Sequence, residues 1–340
     1  MLATIWFLLW GILWAVYFVL DGFDLGAGAL SPFLARNEKE KKAVYHALGP
    51  TWNGNEVWLI TAGGVTFAAF PTTYAVMFSS LYSALMLVLF ALIVRGVSLE
   101  FRGLVASPGW RSFWDWGFFI GSFLPALLFG VAFANIFQGL PINAAGINQG
   151  GLFDLLNPYG LLGGLLFLSL FLQHGALWLA LRTEGDLSRR AGTLATGLWI
   201  PVLILAVLFL AATYAYTSLW NNYFGNPLLL IIPALAVVCL LLIRVRLAAR
   251  SWGGAWVFSA GTIALATLFG VIGLYPHLLP SSLNPAWSLT VSNSSSSPLT
   301  LKIMLGVALV FVPIVIIYQA LVYRAFWGKI SAEHLEEEAY

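Results

Sequence analysis

The first charged side chains of the sequence lie in Asp21-Gly22-Phe23-Asp24-Leu25-Gly26-Ala27-Gly28, directly after the uncharged stretch Met1–Leu20. Placing a charged side chain at bilayer depth costs about 2.5–3.5 kcal/mol on insertion scales, so such a residue faces protein or water. Asp21 and Asp24 are three residues apart and therefore share one face of a helix. Two explanations stay open for them. They hold neighbouring helices together, helped by the glycines spaced four apart, or they serve proton transfer or partner contact.

The composition places the chain in a membrane. Hydrophobic residues make up 60% of it and charged residues 9%, and its mean hydropathy is +0.89. A water-soluble domain cannot bury so much apolar surface. The net charge of +2 predicts no nucleic-acid partner, and the single Cys239 excludes an intrachain disulfide and a cysteine-based metal centre. The first residues include no basic region and no small-residue cleavage site, which favours a retained first span over a signal peptide.

The uncharged stretches divide into membrane spans. A helix needs about 20 residues to cross the hydrocarbon core. Val57–Val94 is uncharged for 38 residues and contains Pro71 near its middle, and Ala191–Ile243 is uncharged for 53 residues and contains the polar segment 221–227. Each stretch therefore predicts two spans. The sequence predicts an all-α integral membrane protein with a single polytopic domain over residues 1–340 and nine transmembrane helices, near residues 3–28, 51–70, 74–94, 115–137, 158–181, 194–220, 228–248, 254–275 and 300–323.

The positive charges support nine spans and predict the orientation. An eight-span alternative would move the basic residues of 36–42 to the outer side, against the positive-inside rule. With nine spans, only Lys302 lies on the outer side, the N-terminus is outside and the C-terminus is cytoplasmic. The other 15 of the 16 Lys and Arg residues then share the cytoplasmic side, namely Arg36, Lys39, Lys41, Lys42, Arg95, Arg102, Arg111, Arg182, Arg189, Arg190, Arg244, Arg246, Arg250, Arg324 and Lys329.

A second polar segment begins the second predicted span. Asn53 and Glu56 are three residues apart, so they are expected to share a helix face, and Trp52 and Trp58 flank them as interfacial anchors. One interpretation is a helix N-terminus with polar capping and an aromatic belt. The other is a polar mouth that admits water or protons from the cytoplasm. On the outer side, the run Ser294–Ser297 predicts a flexible surface turn and nothing more.

Three further polar residues have simple structural explanations. Glu100 lies between Arg95 and Arg102, which favours an interfacial ion pair, and Asp115 suits a cap at the start of the fourth span. His174 lies deep in a span, but a haem or metal centre would need a second ligand, so a packing role is favoured. The sequence contains no Ser-His-Asp arrangement, P-loop, HExxH or CxxC motif, and we expect no catalytic centre in this chain alone.

Several of these segments together resemble subunit II of the cytochrome bd-type quinol oxidases. They occur in the order of that family and are spread over nearly the whole chain. The matching segments are Asp21–Gly26, Trp52–Gly64, Trp114–Phe123, Gly130–Gly139, Leu155–Gly160, Tyr275–Ser282 and Ser297–Leu301.

The resemblance implies a fold of two four-helix bundles plus one peripheral helix, paired with a homologous subunit I. In that family, subunit I carries haems b558, b595 and d and the quinol-oxidising loop, and the complex is electrogenic. It reduces O2 to water with quinol and with protons from the cytoplasm. Subunit II lines proton and oxygen routes, and a structural quinone, lipid and a small single-span subunit are further partners to expect. The location implied is the cell (inner) membrane of a bacterium or archaeon.

The resemblance also suggests site residues. Many family members carry Asp on a proton path where this chain has Asn53, which cannot titrate although its amide can orient water. Glu100 matches another family carboxylate on that path, and Glu56 is an alternative source of the ionisable group. Asp21 and Asp24 complete the proposed proton pathway. Trp58 matches the aromatic residue where oxygen enters.

Two other functions stay open at this stage. A secondary transporter would need discontinuous helices around an ion site at the midplane, whereas the acidic residues here lie near one face. An assembly or scaffold subunit without a conducting role is the second alternative.

Overall fold

The computed structural model describes residues 1–330, and His334 with the rest of the C-terminal tail lies outside them. The described chain is helical apart from a two-stranded antiparallel ribbon, β1 (His277–Leu279) and β2 (Leu289–Thr290), and short 3-10 turns. The helices are α1 (Leu2–Leu34), α2 (Glu38–Leu48), α3 (Trp52–Ala69), α4 (Pro71–Ser80), α5 (Tyr82–Phe101), α6 (Pro108–Gln138), α7 (Pro158–Arg182), α8 (Gly185–Tyr216), α9 (Trp220–Gly225), α10 (Ile231–Ala248), α11 (Trp252–Leu274), α12 (Val291–Ser294) and α13 (Pro298–Ala325).

Eight helical segments within residues 1–330 are long and apolar enough to cross a membrane. They comprise α1, α5, α6, α7, α8, the segment Pro227–Ala248 that contains α10, α11 and α13. The helix α3 is not among them, because its first turns carry Asn53, Asn55 and Glu56. With 18 residues it is nevertheless about 27 Å long.

The predicted span at 74–94 is not one helix, which corrects that boundary. Pro71 does begin a new helix, α4, where its missing N–H is tolerated at the first position. The chain breaks again at Leu81 (φ −100°, ψ 13°), and the apolar helix α5 starts only at Tyr82. The sequence pattern missed this second break because Leu81 is an ordinary apolar residue without a turn signal.

The serine-rich outer segment is a structural anchor, so the prediction of a flexible turn was wrong. Ser294 is buried and its hydroxyl accepts a hydrogen bond of 2.8 Å from Thr73 of α4. The Ser296 backbone N–H donates to the carbonyl of Ala69 at the end of α3 (2.8 Å), and Ser297 caps α13. These bonds satisfy helix-end groups that would otherwise lack partners.

The central helix is α1, which packs against α3, α6, α7 and α11. Trp10 of α1 donates its indole N–H to Thr66 of α3 (2.8 Å), in a buried contact. Phe18 makes edge-to-face contacts with rings of α6 and α7, for example at 5.2 Å from Phe133 and 5.0 Å from Phe167. Such pairs add to the area that each ring buries.

Glycines allow α1 and α7 to touch through their backbones. A Cβ atom on Gly26 would lie 1.7 Å from the carbonyl oxygen of Phe171, and one on Gly175 would lie 2.2 Å from the backbone nitrogen of Ala27. No side chain fits in this contact. The extent of burial differs sharply between helices. In α7, 78% of the most apolar 18-residue stretch is buried, but in the peripheral helix α13 only 6% of that stretch is buried.

We predict that Gly26→Ala lowers the midpoint of thermal aggregation of the purified protein. The methyl group cannot enter the backbone contact, and overpacking of this kind typically costs about 1–3 kcal/mol. The matched control is Gly64→Ala, where a Cβ meets nothing within 4 Å and which is expected to be neutral or slightly stabilising. Equal midpoints for the two variants would contradict the close contact.

Candidate functional site

Arg95 of α5 is completely buried and joins three helices. Its Nη2 atom lies 2.7 Å from Oδ1 of Asp21 on α1 and 3.5 Å from Oε1 of Glu56 on α3. The side chains of Arg95 and Asp21 are both 0% exposed, whereas that of Glu56 is 22% exposed. A buried guanidinium is tolerated only when it is paired, so this ion pair determines how α1, α3 and α5 meet.

Asp24 lies in the same region but has a neutral partner. Its Oδ2 atom accepts a hydrogen bond from the amide of Asn55 on α3 (2.7 Å), and Asn55 in turn accepts one from the hydroxyl of Tyr323 on α13 (2.7 Å). Asp24 and Asn55 are buried. The two aspartates of the opening segment therefore contact different partners.

Several polar atoms in this region have no hydrogen-bond partner among the described residues. They are Oδ2 of Asp21, Oδ1 of Asp24, and Nε and Nη1 of Arg95. Buried polar groups are normally satisfied by protein or by ordered water. Their concentration on three charged side chains makes this the most polar part of the helical interior.

Trp58 contributes to the attachment of α13. Its indole N–H donates to Oε1 of Gln319 (2.8 Å), and the amide of Gln319 donates to the carbonyl of Gly54. Trp58 is buried, so it does not act as an exposed interfacial anchor. Together with Tyr323, Gln319 holds an otherwise little-buried helix on α3.

Asn53 and Glu100 lie apart from this network, because both are exposed. Asn53 does not share the environment of Glu56, since its side chain is exposed, whereas that of Glu56 is 22% exposed and lies 3.5 Å from Arg95. Within residues 1–330, neither Asn53 nor Glu100 has a hydrogen-bond or ion-pair partner of its side chain.

The predicted ion pair of Glu100 with Arg95 or Arg102 was wrong. Arg95 binds Asp21 and Glu56, and Arg102 binds Asp115 (2.6 Å) and Glu38 (3.0 Å). The two arginines that flank Glu100 in the sequence thus take partners from other helices. The sequence spacing could not show this, because the choice depends on which helices pack together.

Asp115 is not a helix cap, which corrects a second prediction. The helix α6 begins at Pro108, two turns earlier, and Asp115 is buried. Its carboxylate binds Arg102 and also Lys41 of α2 (2.8 Å), with the hydroxyl of Tyr45 at 3.3 Å. This cluster joins α2, α5 and α6.

Glu40 holds the connection between α1 and α8. Its Oε2 atom accepts from Arg190 (2.6 Å) and from the backbone N–H of Arg36 (2.7 Å). Burial alone would raise the pKa of the Glu40 carboxyl, but these bonds outweigh it and hold the pKa below its ordinary value. The contribution of this pair to stability is therefore present above the ordinary carboxyl pKa and is lost as the pH falls through the lowered value.

His174 does not fit a haem ligand. Its Nδ1 atom is 3.0 Å from the hydroxyl of Ser259, its Nε2 atom is 3.1 Å from the carbonyl oxygen of Val19, and its ring stacks on Trp256. Both ring nitrogens are thus engaged, in agreement with the predicted packing role. Among residues 1–330, no group of three or more His, Cys, Asp or Glu side chains could hold a metal ion.

Sequence reasoning missed the pairing of Arg95 with Asp21. It also missed three residues of the network, namely Asn55, Gln319 and Tyr323. One signal was available for the last two. Gln319 and Tyr323 are four residues apart and form a polar pair on one face of the second half of the final span.

Comparison with known proteins identifies the family. The family model described as "Cytochrome bd terminal oxidase subunit II" matches residues 2–326. The chain belongs to this family. It is 38% identical to "Cytochrome bd-I ubiquinol oxidase subunit 2" of Escherichia coli strain K12, over 100% of this chain and 98% of that protein. It is 39% identical to "Cytochrome bd ubiquinol oxidase subunit 2" of Bacillus subtilis strain 168, over 100% and 99%.

The fold agrees with this assignment. A chain in the structure of bd oxidase from Geobacillus thermodenitrificans superposes with a TM-score of 0.77, covering 96% of this chain and 98% of that one at 20% identity. The resemblance to cytochrome bd subunit II found in the sequence motifs is thereby confirmed, and this subunit II is a multi-span membrane protein of a respiratory terminal oxidase.

We predict that Arg95→Gln strongly destabilises this subunit II, because it leaves the carboxylate of Asp21 buried and unpaired. Removing one partner of a buried ion pair typically costs about 3–5 kcal/mol. The matched control is Arg189→Gln, whose ion pair with Asp186 is 76% and 67% exposed and is worth at most about 1 kcal/mol. Thermal aggregation of the purified proteins separates the two, and the double variant Asp21→Asn/Arg95→Gln should recover part of the loss. Equal effects of the two single variants would contradict the analysis.

Proposed function

We propose that this chain is the haem-free subunit II of a membrane-bound quinol:O2 oxidoreductase. It supports a haem-bearing subunit I and lines the route by which protons reach the haems. The family assignment supports the complex, because the E. coli and B. subtilis relatives are ubiquinol oxidase subunits by name. The observation that carries the role of this chain is the buried network of Asp21, Asp24, Glu56 and Arg95, in which charges are enclosed by otherwise apolar helices.

The proposed topology has nine spans, with α3 as the ninth. This arrangement keeps the N-terminus outside, the C-terminus cytoplasmic and almost all basic residues on the cytoplasmic side. In one set of four helices, α3 packs on α1, α1 on α6 and α6 on α5; in the other, α7 and α10 each pack on α8 and α11. These contacts support two four-helix bundles, joined through α1, α6, α7 and α11, with α13 at the periphery.

In this orientation the charged network lies near the cytoplasm. Glu56 is four residues from the start of α3 and Arg95 is six residues from the end of α5. These separations correspond to about 6 and 9 Å along the helix axes. The unpartnered oxygen and nitrogen atoms of Asp21, Asp24 and Arg95 are suited to bind water, and a water chain through these groups would carry protons inward.

Asn53 and Glu100 form the cytoplasmic entrance of the proposed proton route. Their exposed side chains are free to contact water or the partner subunit, whereas Glu56 is half-buried against Arg95. Glu100 would supply the titratable group that Asn53 lacks. Trp58, between α3 and α13, is the proposed position where oxygen enters.

The haems b558, b595 and d are assigned to subunit I, because the one deep histidine here has both ring nitrogens engaged. Quinol and O2 are the substrates of the complex. A structural quinone and a small single-span subunit stay as proposals that follow from the family. This chain alone is proposed not to be catalytic.

We predict that the chain expressed without its partner folds into the membrane but binds no haem. The measurement is the visible absorption spectrum of the purified chain together with a pyridine haemochrome assay. The co-expressed two-subunit complex is the positive control, with three haems expected in the partner. A stoichiometric haem on the isolated chain would overturn the assignment.

We predict that Glu100→Gln lowers O2 reduction per haem by about tenfold or more, as expected when a proton-transfer group is lost. Haem content and the apparent affinity for quinol should stay unchanged, since the side chain has no structural partner among residues 1–330. Asn53→Asp should be tolerated or should increase turnover. The matched control is Glu184→Gln, which removes another exposed glutamate of the same side. Unchanged turnover in purified Glu100→Gln complex would exclude a required relay role.

A further inference from the structure

Asp24 of α1 is a buried carboxyl group without a positively charged partner. The residue is 2% exposed, and its side chain accepts a hydrogen bond from a neutral amide, that of Asn55 on α3 (2.7 Å). None of the ion pairs among residues 1–330 includes it. Asp21, one turn earlier on the same helix, binds the guanidinium of Arg95 at 2.7 Å. The two aspartates therefore differ in what compensates their charge.

The orientation of the Asn55 amide shows which oxygen of Asp24 is an acceptor. The hydroxyl of Tyr323 on α13 donates to Oδ1 of Asn55 (2.7 Å), so the NH2 group of this amide faces Asp24. That NH2 group donates to Oδ2 of Asp24. The other oxygen of Asp24, Oδ1, is buried and has no hydrogen-bond partner among the described residues. A proton on this carboxyl group is therefore expected on Oδ1.

The charge balance of the region favours a neutral Asp24. The charged side chains that act on Asp24 are Asp21, Glu56 and Arg95, and the titratable group of α13 that faces it is the hydroxyl of Tyr323. Two carboxylates already share the one guanidinium, since Asp21 lies 2.7 Å and Glu56 lies 3.5 Å from Arg95. An ionised Asp24 would add a third negative charge to a site with one positive charge. A buried carboxylate without a cation is so costly that such a group normally takes up a proton instead.

We propose that Asp24 is a neutral carboxylic acid with its proton on Oδ1, and that it carries protons along the route, whereas Asp21 is the permanent counter-ion of Arg95. This inference rests on the proposed function, because it assigns a role within the proton route. In each transfer, the O–H bond of Asp24 breaks and its proton passes to a water molecule towards the partner subunit. The carboxylate that remains takes a proton from a water molecule on the cytoplasmic side, which restores the neutral acid.

Asn55 suits this exchange, because its amide serves both states of Asp24. The N–H bond to Oδ2 is present while the acid is neutral, and it strengthens when the carboxyl group becomes ionised, since hydrogen bonds to charged acceptors are stronger. Tyr323 keeps the amide in this orientation by occupying its oxygen. Asp21 cannot take the same role, because loss of its charge would leave the guanidinium of Arg95 buried without its closest partner.

Infrared spectroscopy of the purified two-subunit complex tests the protonation state. A protonated carboxyl group has a C=O stretching band that is separate from the bands of carboxylates, and ¹³C label in the aspartate carboxyl group shifts the bands of aspartates alone. At neutral pH, the labelled wild-type complex should show one protonated aspartate more than the labelled Asp24→Asn complex. The absence of this difference would mean that Asp24 is ionised and would overturn the proposal.

The matched control is Asp186→Asn. Asp186 lies 2.9 Å from Arg189, and the side chain of this aspartate is 67% exposed, so it is expected to be ionised. Its replacement should leave the band of protonated aspartate and the turnover unchanged. Loss of the same band in this control would show that the band does not belong to Asp24, and would also overturn the proposal.

Assembly provides a second measurement. Asp24→Asn replaces a neutral acid by a neutral amide of almost the same size, so the complex should keep its haem content. Loss of assembly in Asp24→Asn would show that the position needs a charge, and would overturn the neutral state. Asp24→Glu answers the infrared question in either case, because its carboxyl group carries no aspartate label and the band should disappear there too.

Turnover tests the carrier role. Asp24→Asn should lower O2 reduction per haem by about tenfold or more, as expected when a proton-transfer group is lost. Full turnover in a variant that lacks the infrared band would overturn the carrier role. The route itself is tested at its entrance by Glu100→Gln, so wild-type turnover in both Glu100→Gln and Asp24→Asn would count against the proposed function. The infrared result does not depend on the route.

Discussion

The packing of the helices depends on one buried positively charged side chain, that of Arg95. Arg95 is completely buried in α5, and it is tolerated there because Asp21 of α1 binds it at 2.7 Å and Glu56 of α3 lies at 3.5 Å. A buried charge without a partner would cost several kcal/mol, so only a packing that brings these three helices together is acceptable. The same requirement leaves Asp24 to a neutral partner, Asn55, which in turn binds Tyr323 and attaches α13. One ion pair thus influences the position of four helices.

Apolar packing supplies the area of contact, and polar groups select the arrangement. The helix α1 is the common neighbour of α3, α6, α7 and α11, and its contact with α7 at Gly26 and Gly175 excludes any side chain. Hydrocarbon solvates leucine and phenylalanine about as well as protein does, so close backbone approach and hydrogen bonding give helices in a membrane their specificity. The little-buried helix α13 illustrates this, because it is attached to α3 by two hydrogen bonds of Gln319 and one of Tyr323.

The arginines of this protein occupy two kinds of environment. Arg95 and Arg102 form ion pairs with carboxylates of neighbouring helices, and Arg190 forms one with Glu40. These pairs join helices to one another and leave no charge for an outside ligand. The arginines at the end of α10 have no such partner among residues 1–330.

The sequence by itself determined the class, the family and most of the helices of this protein. Long uncharged stretches admit only membrane helices, and the motifs from Asp21 to Leu301 indicated cytochrome bd subunit II. Only the tertiary structure decided which carboxylate binds which arginine. Glu100 lies between Arg95 and Arg102 in the sequence yet binds neither, because both arginines bind carboxylates of other helices that face them. The anchoring role of Ser294 was hidden from the sequence for a similar reason, since it depends on a contact with Thr73, which lies far away along the chain.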